Sequence, residues 1–143
     1  MRLGIIGLPN SGKTTLFNAL TGGEFETSAV SSGMFEVNTS VVNVPDVRLD
    51  KLEEMYKSKK KTHTTIIYTD VGGLDKGIGE GGLEGPLRSE LQQVDGFVHV
   101  VRAFASDVVP HPYGDIDAQR DLDTLDGEFL LLDLVAVEKR LER

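Results

Sequence analysis

The apolar residues of this chain fall into short runs that end in glycine, proline or a polar residue, and the stretches between them repeat their apolar positions every three or four residues. Short apolar runs are typical of strands buried in a sheet, and the longer repeat is typical of helices packed on it. We predict strands over residues 3–6, 35–44, 64–69 and 96–101, and helices over residues 12–20, 47–55 and from 117 onward. Strands that alternate with helices indicate a doubly wound α/β sheet with flanking helices.

The last predicted helix carries two apolar stripes. One consists of Leu122, Leu125, Phe129 and Leu132, and the other of Leu130, Leu134, Val137 and Leu141. Asp126 and Gly127 are unfavourable in the middle of this helix. The chain ends in a charged helical stretch over residues 138–143, so we expect this helix to lead into a longer helical arm.

Composition narrows the class of protein. The chain has 143 residues, which is one domain by length, and its 15 basic against 23 acidic residues give a net charge of −8. That charge argues against a sequence-specific DNA-binding protein. There is no cysteine, which excludes a disulfide framework and a thiolate metal site. No stretch of about eighteen apolar residues occurs, so we expect a soluble cytoplasmic protein without a membrane segment.

The stretch Gly-Leu-Pro-Asn-Ser-Gly-Lys-Thr, residues 7–14, fits the phosphate-binding pattern G-x-x-x-x-G-K-[ST] between a predicted strand and a predicted helix. Glycines let the backbone curl until successive N–H groups point inward, and the helix N-terminus adds partial positive charge. Lys13 would reach the β- and γ-phosphates, and the Thr14 hydroxyl would bind Mg²⁺. We expect the α- and β-phosphates to be bound by backbone amides of Asn10, Ser11, Gly12, Lys13, Thr14 and Thr15.

A second motif, Asp70-Val-Gly-Gly73, follows the predicted strand 64–69. A carboxylate at the end of this strand lies beside the phosphate-binding loop, where Asp70 can hold the metal through water. The Gly73 N–H can donate to a γ-phosphate. We therefore predict a Mg²⁺ site made by Thr14 and Asp70.

Half of residues 72–85 are glycine, a composition suited to a switch loop that becomes ordered when ligand binds. The stretch contains G-x-G-x-x-G at residues 77–82, but no apolar strand runs into it, so we reject a dinucleotide site.

Lys59, Lys60 and Lys61 form the only basic run of the sequence, which we interpret as a solvated turn rather than an RNA contact. The three histidines, His63, His99 and His111, have no metal-site spacing, and we expect His99 to be a core residue.

With these motifs, the chain resembles the N-terminal part of the YchF or Obg-like ATPase family of P-loop NTPases. The resemblance rests on the stretches GLPNSGKTTLFNALTG, VVNVPDVRLDKLEEM, TDVGGLDKG, EGGLEG, VDGFVHVVRAF and RDLDTLDGEFLLLDLVAVEKRLER. It implies hydrolysis of GTP or ATP and association with ribosomes. It also implies that residues 1–116 are part of a nucleotide-binding domain and that residues 117–143 lead toward a coiled-coil insertion.

The resemblance also assigns roles to two further residues. Asn10 occupies the position at which several related GTPases have an asparagine that helps to coordinate a monovalent cation, so K⁺ is a candidate second cofactor. A simple hydrogen bond within the loop is the alternative for this side chain. His111 aligns with a family histidine suspected of positioning the attacking water, although Pro110 and Pro112 suit a plain surface loop equally well.

Two departures from the family pattern leave a second function open. Met34 stands where the first switch of the family carries a Mg²⁺-sensing threonine, and Leu74 stands where a glutamine orients water. The chain is therefore either a nucleotide-hydrolysing switch, which we favour, or a nucleotide-binding regulatory module with little turnover. A third alternative, a small-molecule kinase, lacks support, because the sequence shows no arginine-rich lid that could clamp a second substrate. No Asn-Lys-x-Asp or Asn-x-x-Glu stretch follows Val101, so the choice between ATP and GTP stays open.

Overall fold

The structure, a computed structural model, describes residues 1–25, 27, 37–72 and 86–142. Within these residues, four strands form one sheet in the order β2-β3-β1-β4, and four helices accompany it. The strands are β1 (Arg2–Ile6), β2 (Val37–Asn43), β3 (Thr65–Val71) and β4 (Gly96–His99). The helices are α1 (Lys13–Thr21), α2 (Val47–Tyr56), α3 (Pro86–Leu91) and α4 (Ala118–Leu141).

The predicted α/β sheet with flanking helices is confirmed. Strand β1 pairs in parallel with β3 and β4, whereas β2 runs antiparallel to β3, so the sheet is mixed. Strand β3 extends through Asp70 instead of ending before it, and β4 ends at His99, two residues earlier than predicted. Helix α3 was not predicted, because six residues with the sequence Pro-Leu-Arg-Ser-Glu-Leu show too little apolar repeat.

One buried cluster of the core lies between the sheet and α4. Ile6, Val71, Leu91 and Leu125 form a buried cluster, and Phe129 and Leu132 pack against it. Phe129 also stacks on Phe97 of β4, with ring centroids 5.2 Å apart. The first predicted stripe of α4 therefore faces the sheet. The second stripe, Leu130, Leu134, Val137 and Leu141, is exposed.

The parallel strands bring three chain segments to one edge of the sheet. Ile5 of β1 lies opposite Asp70 of β3, and Ile6 lies opposite His99 of β4. The loop after β1, the end of β3 and the segment after β4 consequently meet at the carboxyl ends of these strands, where ligands bind in sheets of this type. In the described part of the chain, no helix has the length and apolar character needed to cross a membrane.

Candidate functional site

The loop between β1 and α1 depends on a glycine at its first position. Gly7 has φ +153°, and a Cβ atom there would lie 2.2 Å from the carbonyl oxygen of Val100. The Val100 N–H in turn donates to Ile6 O at 2.7 Å, which holds the end of β4 against the loop. A side chain at position 7 would therefore force the loop away from β4.

Two left-handed residues complete the curl of the loop. Asn10 has φ 60° and Gly12 has φ 100°, and α1 begins at the next residue, Lys13. The N-cap residue, Gly12, makes no side-chain hydrogen bond to this helix end, and the first N–H groups of an α-helix have no intrahelical acceptor. These amides and the partial positive charge of the helix end make the loop an anion-binding site.

A cleft of about 300 Å³ lies over the loop and the start of α1. Its lining consists of Asn10, Gly12, Lys13, Thr14, Thr15, Thr27, Phe104 and Val109. Five of the six residues predicted to bind nucleotide through their amides therefore border one cavity. Ser11, the sixth, is buried beneath the loop, with 5% of its surface exposed.

The Lys13 ammonium group lies between the loop and the end of β3. Its Nζ donates to Leu8 O at 2.8 Å. Its positive charge also lowers the pKa of Asp70, although this is a smaller effect than the burial of that carboxyl. Lys13 thus lies where a charge can act on both a phosphate and the metal-site carboxylate.

Thr14 and Asp70 meet as the sequence predicts. The Thr14 hydroxyl donates to Asp70 Oδ2 at 2.8 Å. Asp70 is 4% exposed, and burial raises its pKa above the ordinary value of 3.8, against the opposing effects of the Thr14 hydrogen bond and the Lys13 charge. Within the described residues, its Oδ1 atom is buried and accepts no hydrogen bond.

This donor set fits Mg²⁺. A buried carboxylate oxygen without a partner is costly, and a hard cation or a water molecule bound to one would satisfy it. The Thr14 hydroxyl donates its proton to Asp70, so its oxygen lone pairs are available to a metal. The remaining predicted site residue, Gly73, lies outside the described residues, as do Met34, Leu74 and the glycine-rich stretch after Gly72.

His111 lies on the segment between β4 and α4, and both of its ring nitrogens form hydrogen bonds within the protein. Its Nδ1 accepts from the Tyr113 N–H at 3.2 Å, so Nε2 carries the proton and donates to Asp121 Oδ2 at 2.8 Å. The two side chains are 2% and 3% exposed. His111 therefore fastens this segment to the first turn of α4.

The segment before His111 contains functional residues that sequence reasoning missed. Phe104 and Val109 line the cleft, and the buried Arg102 binds their carbonyl oxygens. The available signal was an arginine inside the largely apolar stretch Val-His-Val-Val-Arg-Ala-Phe, residues 98–104, because a charge in an apolar run requires internal partners. The Asn10 side chain joins this segment, since its Nδ2 donates to Pro110 O at 3.1 Å.

The other polar residues considered from the sequence lie away from the cleft. His99 is largely buried, which lowers its pKa, and its Nδ1 is 3.9 Å from a carboxylate oxygen of Asp126. His63 contacts Val44 O. Lys61 forms ion pairs with Asp50 and Glu53 of α2, a structural role that agrees with the predicted turn. Among the described residues, no group of three or more His, Cys, Asp or Glu side chains is placed to hold a metal ion.

Comparison with known proteins agrees with this geometry. The sequence profile of a family described as 50S ribosome-binding GTPase matches residues 2–133. The ribosome-binding ATPase YchF of Bacillus subtilis (strain 168) is 43% identical over 141 residues, which are 98% of this chain and 38% of that protein. YchF of Haemophilus influenzae is 41% identical over 143 residues, 99% of this chain and 39% of that protein.

A solved structure gives the same relationship at the level of the fold. The Schizosaccharomyces pombe YchF GTPase superposes with a TM-score of 0.69 at 35% identity, and the match covers 99% of this chain and 38% of that one. The chain thus spans less than two fifths of the length of these relatives.

Proposed function

This chain belongs to the 50S ribosome-binding GTPase family, and from that membership we propose that it binds GTP or ATP with Mg²⁺, hydrolyses it, and acts as a ribosome-associated switch in the cytoplasm. The observation that carries the proposal is the contact between Thr14 and Asp70 beside the loop of residues 7–14. A phosphate-binding loop alone holds an anion, whereas this contact adds oxygen ligands for the metal that accompanies a triphosphate.

In this proposal, the backbone amides of residues 10–15 and the N-terminus of α1 bind the α- and β-phosphates. The Lys13 ammonium exchanges its bond to Leu8 O for the β- and γ-phosphate oxygens, where a charge-assisted hydrogen bond is stronger than one to a neutral carbonyl. Thr14 and Asp70 hold Mg²⁺, which when bound supplies positive charge to the β- and γ-phosphates. The Gly73 amide donates to the γ-phosphate.

Hydrolysis without a glutamine at position 74 requires other polar groups. We assign a supporting role to K⁺ at Asn10, whose Nδ2 is held by Pro110 O so that Oδ1 is the atom available to a cation. A bound K⁺ would neutralise charge that develops between the β- and γ-phosphates. His111 is the proposed water-positioning residue, and to act as one it must exchange a partner in its bonds to Tyr113 and Asp121 for the water.

A regulatory module with little turnover is the second candidate. Met34 and Leu74 favour it, because neither side chain can sense Mg²⁺ or orient water. Both ring nitrogens of His111 form hydrogen bonds within the protein and so are not available to a water molecule, which favours this candidate as well. This candidate shares the nucleotide site with the first and differs from it only in the rate of phosphate release.

Lys13→Ala tests the site, with Lys60→Ala as a control that removes the same charge from an exposed turn. Loss of the charge-assisted bonds should weaken triphosphate binding about 100-fold, equivalent to roughly 2–3 kcal/mol. Titration of MgATP and MgGTP into each variant measures the effect. If Lys13→Ala binds as tightly as the wild type, the site assignment fails.

Phosphate release separates the two candidates. A switch hydrolyses bound triphosphate, and in the proposed mechanism it does so faster in K⁺ than in Na⁺, with the difference lost in Asn10→Ala. Binding without measurable release supports the regulatory module, and equal rates in the two cations remove the role of K⁺.

A further inference from the structure

Arg102 is a buried cation that the nucleotide-binding motifs do not include. It lies three residues beyond the end of β4 and is 2% exposed. A buried guanidinium group is costly unless all its donors are engaged. Across residues 1–25, 27, 37–72 and 86–142, no carboxylate forms an ion pair with it.

The partners of Arg102 are three backbone carbonyls of one short loop. Nε donates to Phe104 O at 3.2 Å, one terminal nitrogen to Val109 O at 2.7 Å, and the other to Pro110 O at 3.2 Å. The guanidinium carbon also lies 4.7 Å from the centre of the Phe104 ring. The side chain therefore joins the two ends of the loop of residues 103–110 and holds it closed.

This loop forms one wall of the nucleotide cleft. Phe104 and Val109, whose carbonyls bind Arg102, both line the cleft. Pro110 O accepts a second hydrogen bond, from Asn10 Nδ2 of the phosphate-binding loop. Arg102 and Asn10 thus meet at a single oxygen atom, which couples the shape of the cleft wall to the orientation of the Asn10 amide.

We propose that Arg102 is a positioning residue for triphosphate binding, which acts by holding the loop of residues 103–110 as the cleft wall and by fixing Pro110 O as the acceptor for Asn10. The inference rests on the proposed function of this site and adds a residue that touches no phosphate. Because its partners are neutral carbonyls, no carboxylate among the described residues offsets the guanidinium charge beside a cleft for a polyanion.

Lysine cannot replace arginine in this role. The guanidinium fork presents donors in fixed directions to three acceptors, whereas one ammonium nitrogen cannot span the same three carbonyls and the Phe104 ring. Arg102→Lys keeps the positive charge but cannot form the three hydrogen bonds to the loop carbonyls together. It therefore separates positioning from a general electrostatic effect.

Arg120→Lys is the matched control. Arg120 also packs over an aromatic ring, 5.0 Å from the Tyr113 centroid, and also donates to a backbone carbonyl, that of Asp115. It does not line the cleft. In the full chain, Arg102→Lys should weaken MgATP and MgGTP binding about tenfold at temperatures where circular dichroism shows the variant folded, and Arg120→Lys should leave both affinities unchanged.

The double variant Arg102→Lys/Asn10→Ala distinguishes positioning from a loss of stability. Since both residues act through Pro110 O, the combined loss of affinity should be clearly smaller than the product of the two single losses. If the affinity loss of the double variant equals the product of the two single losses, the inference is overturned and the proposed function stays intact. The same holds if Arg102→Lys binds triphosphate like the wild type. A wild-type chain that binds neither triphosphate would overturn both.

A measurement on the wild type covers the case in which the Arg102 variants do not fold. In ¹⁵N-labelled protein, the Nε–H signal of Arg102 should shift during a MgATP titration with the same midpoint as the amides of residues 10–15, while the Arg120 signal should stay in place. A stationary Arg102 signal beside shifting loop amides would contradict the coupling.

Discussion

Among single residues, Asp70 is the one at which stability and the proposed metal binding impose opposite demands. Its buried carboxylate is a proposed Mg²⁺ ligand, yet its Oδ1 accepts no hydrogen bond among the described residues and burial raises its pKa. Asp70→Asn should therefore stabilise the metal-free protein by about 1 kcal/mol, an increase of roughly 3 °C in the melting temperature. The same change should abolish the dependence of triphosphate binding on Mg²⁺.

The stability that Asp70→Asn gains over the wild type should increase with pH. A carboxyl whose pKa is raised in the folded state makes the folded state less stable as pH rises through that pKa. The advantage of Asp70→Asn should be greatest at neutral pH and should shrink as the pH falls through the raised pKa, where the wild-type carboxyl becomes neutral. Thermal melts without Mg²⁺ measure it, with the exposed Asp107→Asn as control. A destabilised Asp70→Asn would contradict this account.

His111 has a structural contribution that can be measured separately from any role in hydrolysis. Removing the ring in His111→Ala leaves the buried Asp121 carboxylate with Arg120 as its one side-chain partner among the described residues. We expect a loss of about 1–3 kcal/mol, a decrease of roughly 3–8 °C in the melting temperature. His63→Ala, which removes a single contact to Val44 O, should cost less. An unchanged melt would show that the His111–Asp121 pair adds nothing to stability.

The same variant tests water positioning by a different readout. If His111 orients the nucleophile, His111→Ala should lower phosphate release while triphosphate affinity is retained at temperatures where the variant is folded. Full turnover with nucleotide bound would remove that role.

At the scale of elements, the junction of β1 and its loop gives a prediction with an internal control. Gly7 and Gly22 both have positive φ, but an added Cβ at Gly22 meets nothing within 4 Å, whereas at Gly7 it meets a backbone oxygen. Gly22→Ala should cost about 1 kcal/mol from backbone strain alone, and Gly7→Ala about 3 kcal/mol or more. Urea unfolding measures both, and equal costs would show that the loop moves freely from β4.

Helix α4 offers a stabilising change. Gly127 lies inside this helix with open space around it, so Gly127→Ala should raise the free energy of unfolding by about 1 kcal/mol. Gly114→Ala has equally open surroundings but φ +84°, and it should lower the same quantity. A destabilising Gly127→Ala would indicate that the helix bends at this glycine in solution.

Elements with a strong local signal could be predicted from the sequence. Apolar runs marked the four strands, and the apolar repeat placed the starts of α2 and α4 within one residue of those in the structure, where the side chains of Asp46 and Asp117 cap these helices. The short α3 lacked such a signal, and Gly127 suggested a weakness that packing of Leu125 and Phe129 overcomes. At the site, the motif located the loop and the Thr14–Asp70 contact. Arg102 could not be placed, because its partners are carbonyls, which every residue carries.

On the scale of the whole molecule, the proposed site has more groups suited to phosphates than to a base. The described cleft is lined by the phosphate-binding loop, Lys13 and Thr14, and no base-reading motif follows Val101. Discrimination between bases requires polar groups placed against the edge of the base, so the affinities of this chain for ATP and GTP should differ by less than about tenfold, or 1.4 kcal/mol. Parallel titrations measure this ratio. A strong one-sided preference would show that the chain reads the base by another route.

The packing of α4 fixes one part of this helix on the core and leaves its C-terminal part exposed. Its first half is anchored at Leu125 in the core and at Asp121 by His111, whereas its second half carries exposed leucines and valines. Phe129 and Leu132 also pack against the core, so the part of α4 beyond the anchor runs from Leu132 to Leu141. These about 9 residues at 1.5 Å each extend roughly 14 Å, and a tilt of about 10° at the anchored end displaces the far end by about 2 Å. The segment that ends at His111 touches Asn10 through Pro110. We therefore expect a tilt that the phosphate-binding loop passes to the start of α4 to displace the exposed end of the helix more than its anchored part.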